Sequence, residues 1–575
     1  MMKKYFTILI ISVFCLIGNM AKAQLVKQKT QIEDKKQSEK DWYNCSYEKD
    51  GVYGACVNEA YEFLRGKKMK AKPIVALIGT GVDIEHEALK ANLWKNPKDK
   101  PDGKDNDRNG YIDDVNGWNF IGGKDGQVMQ FVNREGEREF FRLKDKYGNI
   151  IKDGNIYYSF ASGKKEVCPA PQDMKEYEYY RFTLLKESRL ANTYGSKWMT
   201  CISADYARLF DKEVKQKFPD KKDIMVSDVV KCCQPENVQD SSLRKFMLYA
   251  FEMTSNFYKS KTWETMYKAY TAEKRFADAE KKYELEYQKY GNDGREVIVG
   301  DNYLDINDTK YGNNVLLTAD AMIGTMIAGV IAGPRGVEGR NNPIADQAQI
   351  MTLVVQANEG EPYLKDMALA IRYAVMHGAS IIVLPQQNTL YPEGQRQWMS
   401  EAIRYAEQKG VLVIVPVHEL SRDLGEEIFF PNRWMDRGTE FTNLMTVGMS
   451  DKNGMPSINS NFGEKELDIY APGVKMLSTC TGDTYQYGNG VPMASATIAG
   501  IAALIKTYYP KLTGSQIRDI LLKTVTSRKG VEVEKNITRD GKKAVDLYLF
   551  EQLCLSGGIV NALEALKAAD KLNGK

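Results

Sequence analysis

The sequence predicts an α/β fold with a central, mostly parallel sheet covered by helices on both faces, interrupted by one large, mainly helical insertion. Three observations carry this. Short apolar runs rich in β-branched residues occur at PIVALIGTGV (73–82), AQIMTLVV (348–355), ASIIVLP (379–385) and GVLVIVPV (410–417), and such runs read as buried strands. The first breaks at Gly79 and Gly81, as a strand running into a turn should. Helical patterns, MALAIRYAVMHG (367–378) and WMSEAIRYAEQKG (398–410), alternate with the later runs and each closes on a glycine. Strands alternating with helices of that length imply parallel pairing with both sheet faces covered. Residues 124–300 break the rhythm: they are rich in Lys, Glu and Tyr, and 241–290 has a helical pattern with Ser241 or Ser242 as cap.

At 575 residues and 43% hydrophobic content, the chain can bury a large core. Lys3 and Lys4 precede an apolar run from Tyr5 to Ile17, and Ala21-Lys22-Ala23 has the small-x-small form of a cleavage site. Residues 1–23 therefore read as a signal peptide, and the expected location is the periplasm or the exterior. That run is shorter than the ~20 residues a membrane-spanning helix needs, and no later segment reads as a span. The expected order is signal peptide 1–23, an N-terminal segment 24–72 packed on the core, core 73–123, insertion 124–300 and core 301–575. Lys3, Lys4 and Lys22 account for the excess of 79 basic over 76 acidic residues, so the chain without its leader is formally neutral. A nucleic-acid partner, which needs a clustered basic surplus, is not expected. Of nine cysteines, all but Cys15 follow the leader; Cys45 and Cys56 form the most natural local pair. The three histidines, His86, His377 and His418, are too scattered for a structural zinc site, and the first two read as ordinary surface or helix-end residues.

Four stretches, in order, resemble the subtilases, the subtilisin-like serine proteases: PIVALIGTGVDIEH (73–86), IGTMIAGVIAGPRG (323–336), VLVIVPVHE (411–419) and GVPMASATIAGIAALI (490–505). DRNGYIDDVNGWNFIGG (107–123), SNFG (460–463), APG (471–473) and GGIVNALEALKAA (557–569) support the likeness. The resemblance implies the family's three-layer subtilisin-like fold. It also implies that the positions of the catalytic Asp, His and Ser are held here by Gly79, Ile323 and Pro492. Met326 replaces the family's second histidine, and the oxyanion-binding asparagine matches His418, preceded by Val417. None of the three replacements can act as orienting carboxylate, base or nucleophile. The function so implied is that of a secreted peptidase homologue without a triad, a pseudoprotease that binds or scaffolds.

The alternative is a serine endopeptidase with relocated groups, drawn from Asp83, Asp320, Thr325, His418 and Ser495, of which Ser495 with His418 is the pair of most interest. In the segment matching the family's peptide-binding edge, 383–387, Pro385 removes a donor. Peptide or protein ligands are expected at the remnant cleft and on the insertion. The insertion is expected on the rim of that cleft, and its Tyr177, Tyr179, Tyr180, Trp198, Trp263 and Tyr267 are either partner anchors or local packing. Asp105, Asp107, Asn109, Gly110, Tyr111 and Asp113 follow the spacing of a calcium loop, with Asn116 in place of the closing glutamate. A bound calcium and a turn held by its own hydrogen bonds both remain open there.

Overall fold

The computed structural model describes residues 40–573 apart from 233–243, 245–260, 436–437 and 540–541. The leader over 1–23 and the proposed caps Ser241 and Ser242 lie outside the described residues. The chain divides into two compact units, 1–130 with 295–575, and 131–294. Residues 124–130 and 295–300, read from sequence with the insertion, thus pack with the core unit.

In the core unit, Trp42, Tyr43 and helix α1 (Val57–Leu64) bury their apolar side chains in the main core, followed by β1 (Ile74–Gly79) and β2 (Gly117–Asn119). The second unit holds α2 (Glu135–Tyr147), a small antiparallel sheet of β3 (Ile150–Asp153), β4 (Ile156–Ser159) and β5 (Glu166–Cys168), and then α3 (Arg189–Lys217), α4 (Trp263–Thr271) and α5 (Glu273–Tyr290). That small sheet was not legible as such in the sequence. Tyr177, Tyr180, Trp198 and Trp263 are buried within their own unit, with Trp198 stacked on Phe160 and Trp263 edge-on to Phe210. These four are packing residues rather than exposed anchors.

The core resumes with α6 (Met322–Ile331), β6 (Gln349–Val354), α7 (Leu364–Met376), β7 (Ile381–Val383), α8 (Glu393–Gln408), β8 (Leu412–Pro416), β9 (Leu444–Ser450) and β10 (Ile469–Pro472). A hairpin of β11 (Met476–Cys480) and β12 (Thr484–Gly488) leads into α9 (Val491–Tyr508) and α10 (Gly514–Lys523). Next come β13 (Thr526–Ser527), a hairpin of β14 (Glu532–Arg539) and β15 (Lys542–Leu549), β16 (Gly558–Ile559) and α11 (Ala562–Asn573).

Among the described residues the main sheet has nine strands in the order β13-β16-β10-β9-β8-β7-β1-β6-β2, parallel except for β13. Alternation along each strand divides its side chains between two covering layers. Val75, Leu77, Ile381, Val383, Leu412 and Ile414 share one core with α6 and α9. The intervening Ala76, Ile78, Ile382, Val413 and Val415 are equally buried and belong to the opposite face, where α7 and α8 pack on each other and on β1 and β8. The three-layer fold implied by the sequence is the fold observed.

Helix α9 has the length and hydropathy of a membrane span, yet it is the buried central helix of this core. It packs against α6 and strands β1, β7, β8, β9 and β10. Helix α6 reaches this position through small residues. A Cβ on Gly324 would stand 1.9 Å from the carbonyl oxygen of Gly81, and one on Gly329 would stand 2.1 Å from Thr479 Oγ1.

Two buried polar clusters stiffen the unit. Arg295 donates to Asp301 and Asp366, Lys365 donates to Asp301 at 2.7 Å, and the Tyr311 hydroxyl donates to Asp366 at 2.6 Å. Each charge there has a partner, as a dry ion network requires. Lys535 on β14 is fully buried; its Nζ donates to the carbonyl oxygens of Ser457 and Ser460, both at 2.6 Å, and burial pushes its pKa down to about 7. Correcting the sequence expectations, Cys45 and Cys56 are free buried thiols. Their chain segments are joined instead by the Cys56 N–H donating to the Cys45 carbonyl. His86, read as surface, is fully buried, with Nε2 against the Thr484 carbonyl at 3.2 Å and Nδ1 accepting from the Ala88 N–H.

Two outcomes follow for stability. Gly324→Ala forces α6 off the 80–82 turn and is expected to cost about 2–3 kcal/mol in urea denaturation. Lys535 should make stability rise with pH above 7. The folded chain loses this proton near pH 7, whereas the unfolded lysine keeps it to its ordinary range, so the unfolded state binds more protons. The slope, at most about 1.4 kcal/mol per pH unit, is expected between pH 7 and pH 9 and should vanish in Lys535→Met.

Candidate functional site

Parallel strands of an open α/β sheet place their binding crevice at their carboxyl ends. Gly79 is the last residue of β1, and its carbonyl accepts the N–H groups of Val355 and Gln356. A Cβ built on Gly79 meets nothing within 4 Å, so packing does not require a glycine here. The chain turns at 80–82 directly against the start of α6, where Thr318 Oγ1 donates to the Thr80 carbonyl at 2.6 Å. Ile323 is the second residue of α6 and is 47% exposed, so it presents an apolar side chain to the surface rather than filling the core. Pro492 is the second residue of α9, a position where the missing N–H costs no helical hydrogen bond.

The starts of α6 and α9 adjoin. A Cβ on Gly488 would lie 3.2 Å from Met326 Sδ and 3.1 Å from Met493 Sδ, so the residue one turn beyond Ile323 and the residue after Pro492 meet at one point. Gly79 ends β1, while Ile323 and Pro492 open the two adjoining helices; none of the three carries an acid, a base or a hydroxyl.

His418 lies just past the end of β8. Its Nε2 is 3.2 Å from Gln386 Nε2, its Nδ1 accepts the Glu419 N–H at 2.9 Å, and its ring centroid is 6.4 Å from that of Phe429. Ser495 is fully buried inside α9 and its Oγ has no partner. His418 and Ser495, the pair of most interest for a relocated site, are not brought together as base and nucleophile. Asp83 and Thr325 are committed to structure: Thr325 Oγ1 accepts the Asp83 N–H at 2.9 Å, and the Asp83 carboxylate accepts the N–H groups of Glu85 and Gly482.

Glu419 is the residue that sequence reasoning passed over. Its Oε2 would lie 3.6 Å from a Cβ on Gly490, and the Val491 N–H, the first of α9, is directed at its carboxylate. Burial against the helix raises the Glu419 carboxyl above its ordinary range, and that N–H opposes the rise. A helix N-terminus favours an anion, and here the protein supplies one from its own chain. The available signal was its place directly after His418 in VLVIVPVHE.

The loop read as a calcium site is held by its own amides. Asp105 accepts the N–H groups of Asn109 and Gly110, and Asp107 accepts that of Asn109 and the side-chain amide of Asn96. Asn109 Oδ1 accepts the Tyr111 N–H, and the Tyr111 ring is buried between Trp118 and Tyr373. Asp113 is spent on a different turn, accepting from Asp102 and Gly103, and Asn116 donates to the Trp94 carbonyl. Among the described residues no three acidic, His or Cys side chains converge as a metal would need. The side-chain oxygens of Asp105, Asp107 and Asn109 each accept at least one N–H within this loop and its neighbours.

The class is therefore a three-layer, mostly parallel-sheet α/β protein. The family model described as the subtilase family matches residues 299–542. Subtilisin BL of Lederbergia lenta is 32% identical over 208 residues, covering 36% of this chain and 70% of its own. The thermostable alkaline protease of Halalkalibacterium halodurans is 30% identical over 206 residues, covering 35% of this chain and 52% of its own, so the match spans about half of that relative. Among solved structures, that of the prenylagaramide maturation protease PagA is 22% identical, with a TM-score of 0.34 over 43% of this chain and 82% of that one. This chain belongs to the subtilase family.

For the 105–116 loop, the melting temperature is expected to be the same in EDTA as in millimolar calcium. A calcium-dependent rise, which linkage would produce for any ion bound only by the folded state, would show that the carboxylates rearrange to hold one.

Proposed function

We propose that this subtilase-family chain is an exported, non-catalytic pseudoprotease whose remnant cleft binds peptide or protein ligands or serves as a scaffold. The observation that carries this reading is the start of α9. Pro492 has neither a hydroxyl to attack with nor an N–H to offer a developing oxyanion, and the neighbouring Val491 N–H faces Glu419. The other positions agree with it. Gly79 and Ile323 supply no carboxylate and no imidazole, and His418 lies beside Gln386. In subtilisin itself, loss of the nucleophile or of the base alone costs about 10⁶ in turnover. Residual peptidase activity from this arrangement would be undetectable beside any working relative.

Purified mature protein is expected to show no labelling by a serine-reactive fluorophosphonate and no cleavage of a broad peptide library; stoichiometric labelling would establish a relocated nucleophile. Gly79→Asp, Ile323→His and Pro492→Ser together should remain nearly inactive, since Glu419 still occupies the helix start. Adding His418→Asn and Glu419→Gly is expected to raise turnover by about 10². Robust turnover from the triple variant alone would overturn the role given to Glu419.

A further inference from the structure

The second compact unit has a cavity of its own, of about 310 Å³, between α3, β3 and the π-helical turn Tyr179–Leu184, with Arg275 of α5 in its wall. That volume is at the lower end of small-ligand sites, about 300–1,000 Å³, and suits one small molecule rather than a polymer.

Two local features shape it. Gly195 stands inside the 29-residue helix α3, where glycine is less favourable than alanine. Packing does not demand it, since a Cβ there would meet only Leu185 Cδ2, at 3.4 Å; what the missing side chain provides is space. The π-helical turn carries Tyr180 and Arg181, both of which line the cavity, and such turns are rare and concentrate at functional sites.

The polar groups divide into donors and acceptors. Tyr180 is only 4% exposed, yet its hydroxyl makes no hydrogen bond; the adjoining Tyr179 hydroxyl is sealed from solvent, whereas that of Tyr180 is not. Arg181 donates only to the Lys152 carbonyl and the Tyr177 hydroxyl, and Arg275 only to the Tyr270 carbonyl, so each guanidinium keeps unspent N–H groups and meets no carboxylate. No acidic residue lines the cavity to neutralise the two charges. Ser196, Thr200 and Ser203 form a row along the α3 wall, and each hydroxyl donates to the carbonyl four residues back, at 2.8, 2.9 and 2.8 Å. Their hydrogens are thereby spent, and the row is left to accept.

We infer that this cavity binds an anionic monosaccharide, a sugar phosphate or a sugar acid, whose charged group is held by Arg181, Arg275 and the Tyr180 hydroxyl and whose ring hydroxyls donate to the row on α3. The guanidinium fork matches the oxygens of carboxylate and phosphate alike. The site is independent of the remnant cleft, because every residue lining it belongs to the second unit.

The test is calorimetric titration of the full mature chain with glucuronate and with glucose 6-phosphate, alongside glucose and inorganic phosphate. At least one anionic sugar is expected to bind saturably at millimolar concentration or below, the tighter of the two identifying the charged group, with glucose and inorganic phosphate each at least tenfold weaker. Tyr180→Phe, which removes only an unbonded hydroxyl, and Arg275→Gln should each weaken binding by about tenfold. Gly195→Leu, which refills the space, should abolish it, with the melting temperature of each variant reporting on folding. Absence of saturable binding by the wild type, binding of either control within tenfold of the anionic sugars, or full affinity in folded Tyr180→Phe would each overturn the site.

Discussion

Everything in the core unit is arranged around the burial of α9. An apolar helix of this kind has to be enclosed on all sides, and the sequence permits that by interleaving small residues: Ala494, Ala496, Ala499, Ala502 and Ala503 are all inaccessible. Sheet residues Leu77, Val383 and Ile414 cover one side, and α6 closes another through its glycines. Close packing of this density leaves no slack, so the start of the helix is fixed where the carboxyl ends of β1 and β8 point. The position of Pro492 is thus set by burial of residues up to three turns away.

In the function proposed above, this separation of scaffold from chemistry is what lets a family member carry non-reactive residues at the positions matched to the family's triad. The first turn of a helix has no internal partner for its N–H groups, so proline there is tolerated at no cost in hydrogen bonding. Gly79 ends a strand in open space, and Ile323 lies half exposed on a helix start. None of the three is required by packing, and none disturbs it. The helix end still favours an anion, and Glu419 provides one within the chain, which lowers the attraction of that spot for a substrate oxyanion.

The clusters away from the crevice show the opposite logic, in which polar groups are held by the fold itself. The network of Arg295, Asp301, Lys365, Asp366 and Tyr311 is mutually satisfied and buried, at the point where the chain rejoins the core unit. Breaking such a pair from one side leaves an uncompensated charge, so these residues specify one packing rather than add much net stability.

The sequence by itself determined the strand and helix grammar of the core, because period-two and helical burial patterns follow directly from which faces must be dry. PIVALIG, IIVLP and VLVIVP became β1, β7 and β8, and the two glycine-closed patterns became α7 and α8. What chemistry Gly79, Ile323, Pro492 and His418 can perform likewise follows from side-chain identity alone. Facts that depend on which segments meet across hundreds of residues were decided only by the tertiary structure. The placement of Glu419 against Val491, the burial of His86 under Thr484, and the choice of α9 as a core helix rather than a membrane span are of this kind. So is the calcium-loop spacing of 105–116: a linear pattern of oxygens counts possible ligands, but only the folded loop decides whether they face a cation or the N–H groups of their own backbone.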